Sequence, residues 1–303
     1  MKVRKAVIPA AGFGTRFLPA TKSQPKEMLT IVDTPVIQYV VEEAVAAGIT
    51  DILIIISKGK QVLEDHFDRS FELEAALEAK HKFEALAWVR RIADMADIHY
   101  IRQKEMNGLG AAISLARHHV GDEPFAILLG DTLMQTSNGV PVTRQLLDVF
   151  DRYQESVVAL EHVPMERVSR YGVVDGTDVT DDVLLIRDLV EKPEPEAAPS
   201  NLVIASRYVF TPEIFEHLLA IKPGKNGEIQ LTDAMRLHVA HRPIYGLKFA
   251  GRRHDAGNKL DFIKTNITVA LDRPDLHDDL AAFIIETSAV LTKAHACSGQ
   301  VPQ

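Results

Sequence analysis

The chain has 303 residues, enough for one large α/β domain with a substantial core and a small appendage. Hydrophobic residues at 46% and charged residues at 25% place it among soluble globular proteins rather than disordered or membrane-embedded ones. Basic residues number 34 against 42 acidic, a net charge of −8, which argues against nonspecific nucleic-acid binding but leaves room for a small anionic substrate held by local cations.

The first apolar run, Lys5 to Pro9, reads as a short buried strand entering a Gly-rich loop. Lys2, Arg4 and Lys5 give the start the look of a signal sequence. Pro9, Gly12, Gly14 and Arg16 interrupt the run, so no signal-peptide core forms. Val36 to Ala47 has helical periodicity, with Gly48 as its C-terminal stop. Asp51 to Ile56 is an isoleucine-rich strand, and Lys60 to Arg90 is charged and reads as helical. Ile98 to Arg102 is a strand, Gly110 to His118 a helix, and Phe125 to Leu129 a buried strand ending at Gly130-Asp131. Such βαβα alternation predicts a largely parallel sheet covered by helices, with ligands at the carboxyl ends of its strands.

The second half changes character. Ser156 to Glu161, Tyr171 to Val174, Val183 to Glu191 and Asn201 to Phe210 read as strands. Pro212 to Ala220 and Ile229 to His241 read as helices, followed by the strand Ile244 to Phe249 and terminal helices over Asn258 to Leu271 and Asp278 to Leu291. Pro193 to Ser200 is expected to be a flexible surface loop, and the tail from Ala294 to lack structure. No run of about 18 apolar residues occurs, so no membrane span is expected. Cys297 is the only cysteine, which forbids an intrachain disulfide and suits a reducing, cytoplasmic setting. The twelve histidines show no metal-ligand spacing, His118-His119 reads as a helix end, and Trp88 as a packing residue.

The strongest local signal is Ala10-Ala-Gly-Phe-Gly-Thr-Arg16, directly after the first strand. Its glycines allow tight turns and close approach to phosphates, and Thr15 and Arg16 add donors. It is not a dinucleotide fingerprint, because Phe17 stands where the third glycine belongs and the second strand ends at Ser57-Lys58 without a ribose-binding acid. Nor does a Gly-Lys-Ser/Thr follow, as a Walker loop requires. Taken alone, the loop is equally a plain strand-to-helix turn. Its continuation adds weight: Arg16, Lys22 and Lys26 concentrate positive charge, and Pro19 and Pro25 stiffen the stretch between them.

The run Pro25-Lys-Glu-Met-Leu-Thr-Ile-Val-Asp-Thr-Pro35, with Ile37-Gln-Tyr-Val-Val-Glu-Glu43 after it, resembles the sugar-1-phosphate nucleotidylyltransferases, and the likeness extends from Lys5 to about Leu271. That resemblance implies an α/β, Rossmann-like nucleotidyltransferase fold: a mixed, mostly parallel central sheet flanked by helices, with C-terminal helices. Residues 1–271 would form the catalytic domain and 272–303 a C-terminal helix and flexible tail. The nearest members act on UTP and glucose 1-phosphate with Mg²⁺ and commonly form homodimers or homotetramers.

By the same resemblance Ala10, Ala11, Gly12, Gly14, Thr15 and Glu27 would surround the nucleotide, with Arg16 and Lys26 as catalytic cations on its phosphates. Gln103 and Gly108, in Gln103-Lys-Glu-Met-Asn-Gly108-Leu-Gly110, would contact the base; an amide offers a pyrimidine edge both a donor and an acceptor. Asp131 in Leu128-Leu-Gly-Asp131 and Asp255 in Arg253-His-Asp-Ala-Gly257 would hold the metal, which prefers oxygen ligands. Tyr171-Gly-Val-Val174 and Leu189-Val-Glu-Lys-Pro193 match the sugar-binding portion. There Gly172 would admit the sugar, Glu191 would accept from its hydroxyls, and Lys192 would hold its phosphate. Gly224 to Asp233 also matches and is read as a structural loop capping a helix. The chain departs from the pattern at Ala111, where His is usual, and at His254 and Ala256, where Tyr and Cys are usual. Without the resemblance, Asp131 reads better as a turn aspartate and Glu191-Lys192 as a solvated surface pair. Transfer of another nucleotide, such as dTTP or CTP, and a catalytically silent binding subunit on the same fold are the readings left open beside the first.

Overall fold

The computed structural model describes residues 1–224 and 227–298. Strand β1 (Lys5–Pro9) leads through three single-turn 3₁₀ helices at Thr15–Phe17, Ala20–Lys22 and Lys26–Met28 to the small hairpin β2 (Thr30–Ile31) and β3 (Thr34–Pro35). Helix α1 (Val36–Ala46), β4 (Asp51–Ile56), α2 (Gln61–Phe67), α3 (Phe71–Ala79), α4 (Phe83–Ala93) and β5 (Asp97–Arg102) follow. Next come α5 (Leu109–Ser114), α6 (Arg117–Val120), β6 (Phe125–Leu128), β7 (Thr132–Thr136), α7 (Val142–Tyr153) and β8 (Ser156–His162). The chain continues with β9 (Gly172–Asp178), β10 (Val183–Glu191), β11 (Leu202–Phe210), α8 (Ile214–Ala220) and α9 (Leu231–Val239). It closes with β12 (Ile244–Lys248), β13 (Gly251–Asp255), α10 (Lys259–Leu271) and α11 (His277–Ser298).

The central sheet runs β5-β4-β1-β6-β11-β8-β12-β10-β9. It is mixed, as expected. The parallel part is its first half, β5-β4-β1-β6, together with the β12–β8 pair. Beyond β6 the neighbours β11, β8, β10 and β9 pair antiparallel, so the balance is nearer even than the N-terminal alternation suggests. β1, β4 and β6 are almost wholly apolar because helices cover both faces, as continuous burial requires. One core layer joins Ile8, Ile52 and Ile54 to α1 and α7 through Val40, Val41, Leu146 and Phe150. The other joins Val7, Leu53 and Ile127 to α5, α8 and α9 through Ile113, Ile214 and Met235.

Several expectations change. Lys60 to Arg90 is three helices rather than one, broken at Asp68–Ser70 and at Lys80–Lys82, where His81 takes a left-handed φ of 54°. Gly110 to His118 divides into α5 and α6. Trp88 is 41% exposed and is not a packing residue. Helix α7 and the ladder of β7 with β13 were not foreseen. Ser200 Oγ donates to the Val174 carbonyl at 2.6 Å, which ties down the end of the loop after Pro193. Ala294–Ser298 continues helix α11, while positions 225, 226 and 299–303 and the Cys297 side chain lie outside the described residues. Among the described residues no helix is long and apolar enough to cross a membrane.

Candidate active site

The carboxyl ends of β1, β4 and β6 meet at one edge of the sheet, and the glycine loop leaves from the middle of it. Gly14 has φ +66°, and a side chain there would press to 3.2 Å on both the Lys26 and Thr21 side chains. Thr21 Oγ1 donates to the Gly14 carbonyl at 2.8 Å, fastening the loop on the segment that follows it. Gly12 has only the end of Lys26 nearby, at 3.9 Å, so its backbone faces open space.

Lys26 reaches Asp131, with Nζ 2.5 Å from Oδ2. Burial pulls the Lys26 ammonium down, but the charges of Asp131 and Glu27 outweigh it and hold the pKa above the ordinary lysine value. Burial pushes the Asp131 carboxyl up, and Lys26 overrides that, keeping it below the usual aspartate value. Asp255 ends β13, one ladder step from Thr132 on β7. A Cβ placed on Gly257 would lie 3.0 Å from Asp255 Oδ1 and 3.1 Å from Asp131 Oδ2, so the two carboxylates flank one point. Burial and the Asp131 charge both raise the Asp255 pKa. Paired oxygens with no thiol or imidazole between them suit a hard divalent cation. Arg16 is exposed, and its charge is felt at Lys26, Asp131 and Asp255.

Two members of the expected nucleotide set are engaged otherwise. Ala10 does not line the cavity: its N–H donates to Ile55 O at 2.8 Å, and its carbonyl accepts from Lys60 Nζ. Glu27 reaches the cavity wall, but its carboxylate is 1% exposed and turned to Lys60 Nζ at 2.8 Å. Lys60 itself was overlooked. It follows β4 in Ser57-Lys-Gly-Lys60, at the very edge where ligands gather, and that position was the available signal. Burial lowers its pKa and Glu27 opposes the shift.

A cavity of about 440 Å³ opens over the loop, lined among others by Gly12, Thr15, Lys26, Gln103, Gly108 and Asp131. That size suits a small-molecule ligand. The Gln103 side chain is 6% exposed and turns its amide toward Asn107 and the Gly108 carbonyl, at 3.4 and 3.5 Å. Gly108 has φ +107°, and a Cβ on it would lie 2.7 Å from Ile229 O; one on Gly110 would lie 2.8 Å from the same atom. Gly110 N–H donates to that oxygen at 2.9 Å, and Ile229 N–H donates to Asn107 O at 2.8 Å. The segment around Ile229 is therefore more than a helix cap: it braces the loop that carries Gly108. Ala111 lies next to this contact, which is made by backbone and does not need the usual His.

A second cavity, of about 230 Å³, adjoins the first and shares Leu109, Leu129 and Glu228 with it. Gly172, Glu191, Lys192 and Thr232 line it. Glu191 accepts from Thr232 Oγ1 at 2.6 Å and pairs with Lys192 Nζ at 2.7 Å. Lys192 has a left-handed φ of 46°, a strained setting typical of functional positions. A Cβ on Gly172 would meet Thr232 Oγ1 at 2.9 Å, so close packing demands glycine there.

Two supports lie behind these walls. Arg207, fully buried on β11, donates to Glu43 at 2.7 Å and to the Thr132 carbonyl at 2.8 Å, fixing the chain just after Asp131. His254 bonds Gln135 on β7 at 3.1 Å and Thr265 on α10 at 3.3 Å, while Ala256 is buried against Ile31 and Val36. Both departures from the family pattern thus leave Asp255 anchored. The histidine expectation needs correction: Asp51, His99 and His119 do group together, at the opposite end of the sheet.

A mixed α/β sheet with cations and paired carboxylates at its carboxyl edge, beside two joined cavities, defines an enzyme that works on phosphorylated substrates. The chain belongs to the family described as nucleotidyl transferase, whose profile matches residues 5–270. It is 52% identical over 283 residues to a UTP–glucose-1-phosphate uridylyltransferase, YngB, of Bacillus subtilis (strain 168), covering 93% of this chain and 95% of the relative. Among solved structures it is similar to a UDP-glucose pyrophosphorylase complexed with UDP-glucose (44% identity, TM-score 0.83, 89% of this chain and 100% of the other). It is also similar to a UTP-bound UGPase from Acinetobacter baumannii (38% identity, TM-score 0.87, 94% and 99%).

Proposed function

We propose that this enzyme transfers UMP from UTP to glucose 1-phosphate, releasing pyrophosphate and forming UDP-glucose. The observation that carries the reading is the pair of cavities sharing one wall, with Lys26 and Asp131 on one side and Glu191 and Lys192 on the other. The larger takes the nucleotide and the smaller the sugar phosphate. Gln103 and the Gly108 backbone face the base, the Gly12–Thr15 loop and Arg16 the triphosphate, and Glu191 the sugar hydroxyls.

The nucleophile is a phosphate oxygen that is already anionic, so no general base is needed. It forms a bond to the α-phosphorus as the bond to pyrophosphate breaks, and pyrophosphate leaves with the electron pair. The protein must bring two anions together, which it does by positioning and charge neutralisation. Lys192 holds the attacking phosphate, and Lys26 and Arg16 steady the triphosphate. Asp131 and Asp255 would hold Mg²⁺, which when bound supplies further positive charge to the substrate phosphates.

Pyrophosphate release from UTP and glucose 1-phosphate, with and without Mg²⁺, tests this directly. Removing one such charged contact commonly costs on the order of 10²-fold or more in rate. Lys192→Ala and Asp131→Ala should therefore fold and lose most turnover, whereas near-parental rates for both would sink the assignment. Equal or faster rates with dTTP or CTP would transfer it to another nucleotide. The single unpaired cysteine suits the reducing cytoplasm, where we place the reaction. Exposed Leu260, Ile263 and Ile267 on α10 and Phe283, Ile285 and Val290 on α11 support a homo-oligomer formed through these helices, which light scattering would detect.

A further inference from the structure

Asp51, His99 and His119 converge at the amino end of the sheet, away from the catalytic edge. Asp51 opens β4, and the strand's five steps to Ile56 put it roughly 17 Å from the edge where Lys60 and the glycine loop sit. Paired residues on parallel strands point to the same face. The register Asp51↔Asp97 and Leu53↔His99 therefore puts Asp51 and His99 together on the face that α5 and α6 cover. His119, on α6, comes down on them from above. Its Nε2 is 2.8 Å from Asp51 Oδ1, and His99 Nε2 is 3.8 Å from the same oxygen. The two imidazoles lie 4.8 Å apart between centroids, and the three candidate donor atoms all fall within 4.8 Å of one another.

We propose that Asp51, His99 and His119 form a binding site for a divalent transition metal of the zinc, cobalt or nickel kind. Two imidazole nitrogens and one carboxylate oxygen are the donors such ions select, whereas a magnesium ion prefers an all-oxygen shell. Ligand atoms about 2.0–2.1 Å from a tetrahedral zinc stand roughly 3.3 Å apart, between the two separations to Asp51 seen here. Small side-chain rotations suffice to close the set. His99 is exposed, and His119 and Asp51 are partly so, which leaves a fourth position open to water. The neighbouring cation is already occupied: Lys5 Nζ donates to the His119 and Val120 carbonyls at 3.0 and 3.1 Å and pairs with Glu123 at 3.2 Å. A bound ion would staple β4, β5 and α6 together, just before the turn into β6.

The test is a titration of the chelator-stripped full chain with Co²⁺, read by its visible spectrum, and with Zn²⁺, read by thermal shift. Excess Mg²⁺ is present throughout to occupy carboxylate-only sites. One equivalent of Co²⁺ should develop the spectrum of a nitrogen- and oxygen-liganded ion, and Zn²⁺ should raise the melting temperature. Loss of an outer-shell partner alone weakens metal sites by about 10–100-fold, so losing a direct ligand should cost at least as much. His99→Ala, His119→Ala and Asp51→Asn should each weaken binding by that factor and abolish the zinc-induced shift. All three positions have solvent access, and comparing each variant with and without metal separates binding from any change in its own stability. No saturable binding to the parent chain, or equal binding to all three variants, overturns the proposal.

Discussion

Lys60→Met isolates the buried ion pair that supports the glycine loop. Lys60 is 5% exposed and its partner Glu27 1%, so neither charge has water to fall back on. Removing one member of a buried pair typically costs about 3–5 kcal/mol, because the other charge is stranded. Glu27 has one escape, which is to take up a proton. Burial already pushes its pKa above the ordinary glutamate value, and Lys60 is the larger of the two charges opposing that push. In the variant the folded pKa rises further, so over the window from about 4.5 up to the new value the folded chain binds a proton that the unfolded chain has released. Stability of the variant must then fall as pH rises through that window. Denaturant unfolding at roughly pH 5 and pH 8 should show the deficit of Lys60→Met growing toward the higher pH. Lys60→Met combined with Glu27→Gln should recover much of the loss and flatten the dependence, since the stranded charge is gone. Turnover of the single variant, measured below its unfolding midpoint, should also drop. An unpaired Glu27 carboxylate competes with Asp131 for Lys26, and the Ala10 carbonyl loses its donor. A loss below about 1 kcal/mol, with the same pH dependence as the parent, would refute the reasoning, because that is the worth of an exposed pair.

Two further outcomes follow from the packing. His238, on α9, is fully buried against His217 of α8, and neither ring nitrogen has a hydrogen-bond partner among the described residues. Burial, then the neighbouring His217, depresses its pKa to about 4; Arg242 and His241 push the same way, and only Glu213 opposes them. Between about 6.5 and about 4 the unfolded chain takes a proton that the folded chain refuses, so stability should fall by up to about 3 kcal/mol on acidification. His238→Leu should remove that part of the slope in melts taken across the range, and an unchanged slope would rule the residue out. Gly108→Ala would set a Cβ 2.7 Å from Ile229 O at a φ of +107°. Strain of roughly 1–3 kcal/mol should either lower the melting temperature or displace the loop and weaken UTP binding by calorimetry. A fully parental Ala variant would mean that the brace is dispensable.

Local elements were legible in the sequence where a run of apolar residues marked them, uninterrupted in β1 and β4 and broken only by Arg187-Asp188 in β10. The bounds of β1, β4 and β10 match the expected runs, and Gly48 stops α1 as foreseen. The breaks between α2, α3 and α4 were not legible, because no Gly or Pro marks them. Glu74 instead gathers Arg69 and Arg90 from either side of a turn, a contact made only in three dimensions. The strand pair β7–β13 was equally hidden, since its partners lie over a hundred positions apart in sequence. Of the residues lining the two cavities, Lys26, Asp131, Gln103, Gly108, Glu191 and Lys192 stand in motifs visible in the sequence. Lys60 and Arg207 stand in no motif: Lys60 has only its place after β4 to mark it, and Arg207 nothing until its carboxylate is found. Ala10 and Glu27 sit within the motif, and their polar groups bond the scaffold through Ile55 and Lys60, which no motif reveals.

The short ladder between β7 and β13 behaves as a ruler. It pairs Thr132 with Asp255 and so fixes how far apart two carboxylates from distant parts of the chain can stand. Side chains alternate along a strand, and adding or deleting one residue between Gly251 and Asp255 would turn Asp255, and every residue after the change, to the opposite face. Length should therefore vary freely in the turn preceding Gly251 and hardly at all beyond it. The spacing of the acidic pair is inherited through strand register, which a single insertion can erase even when both aspartates remain.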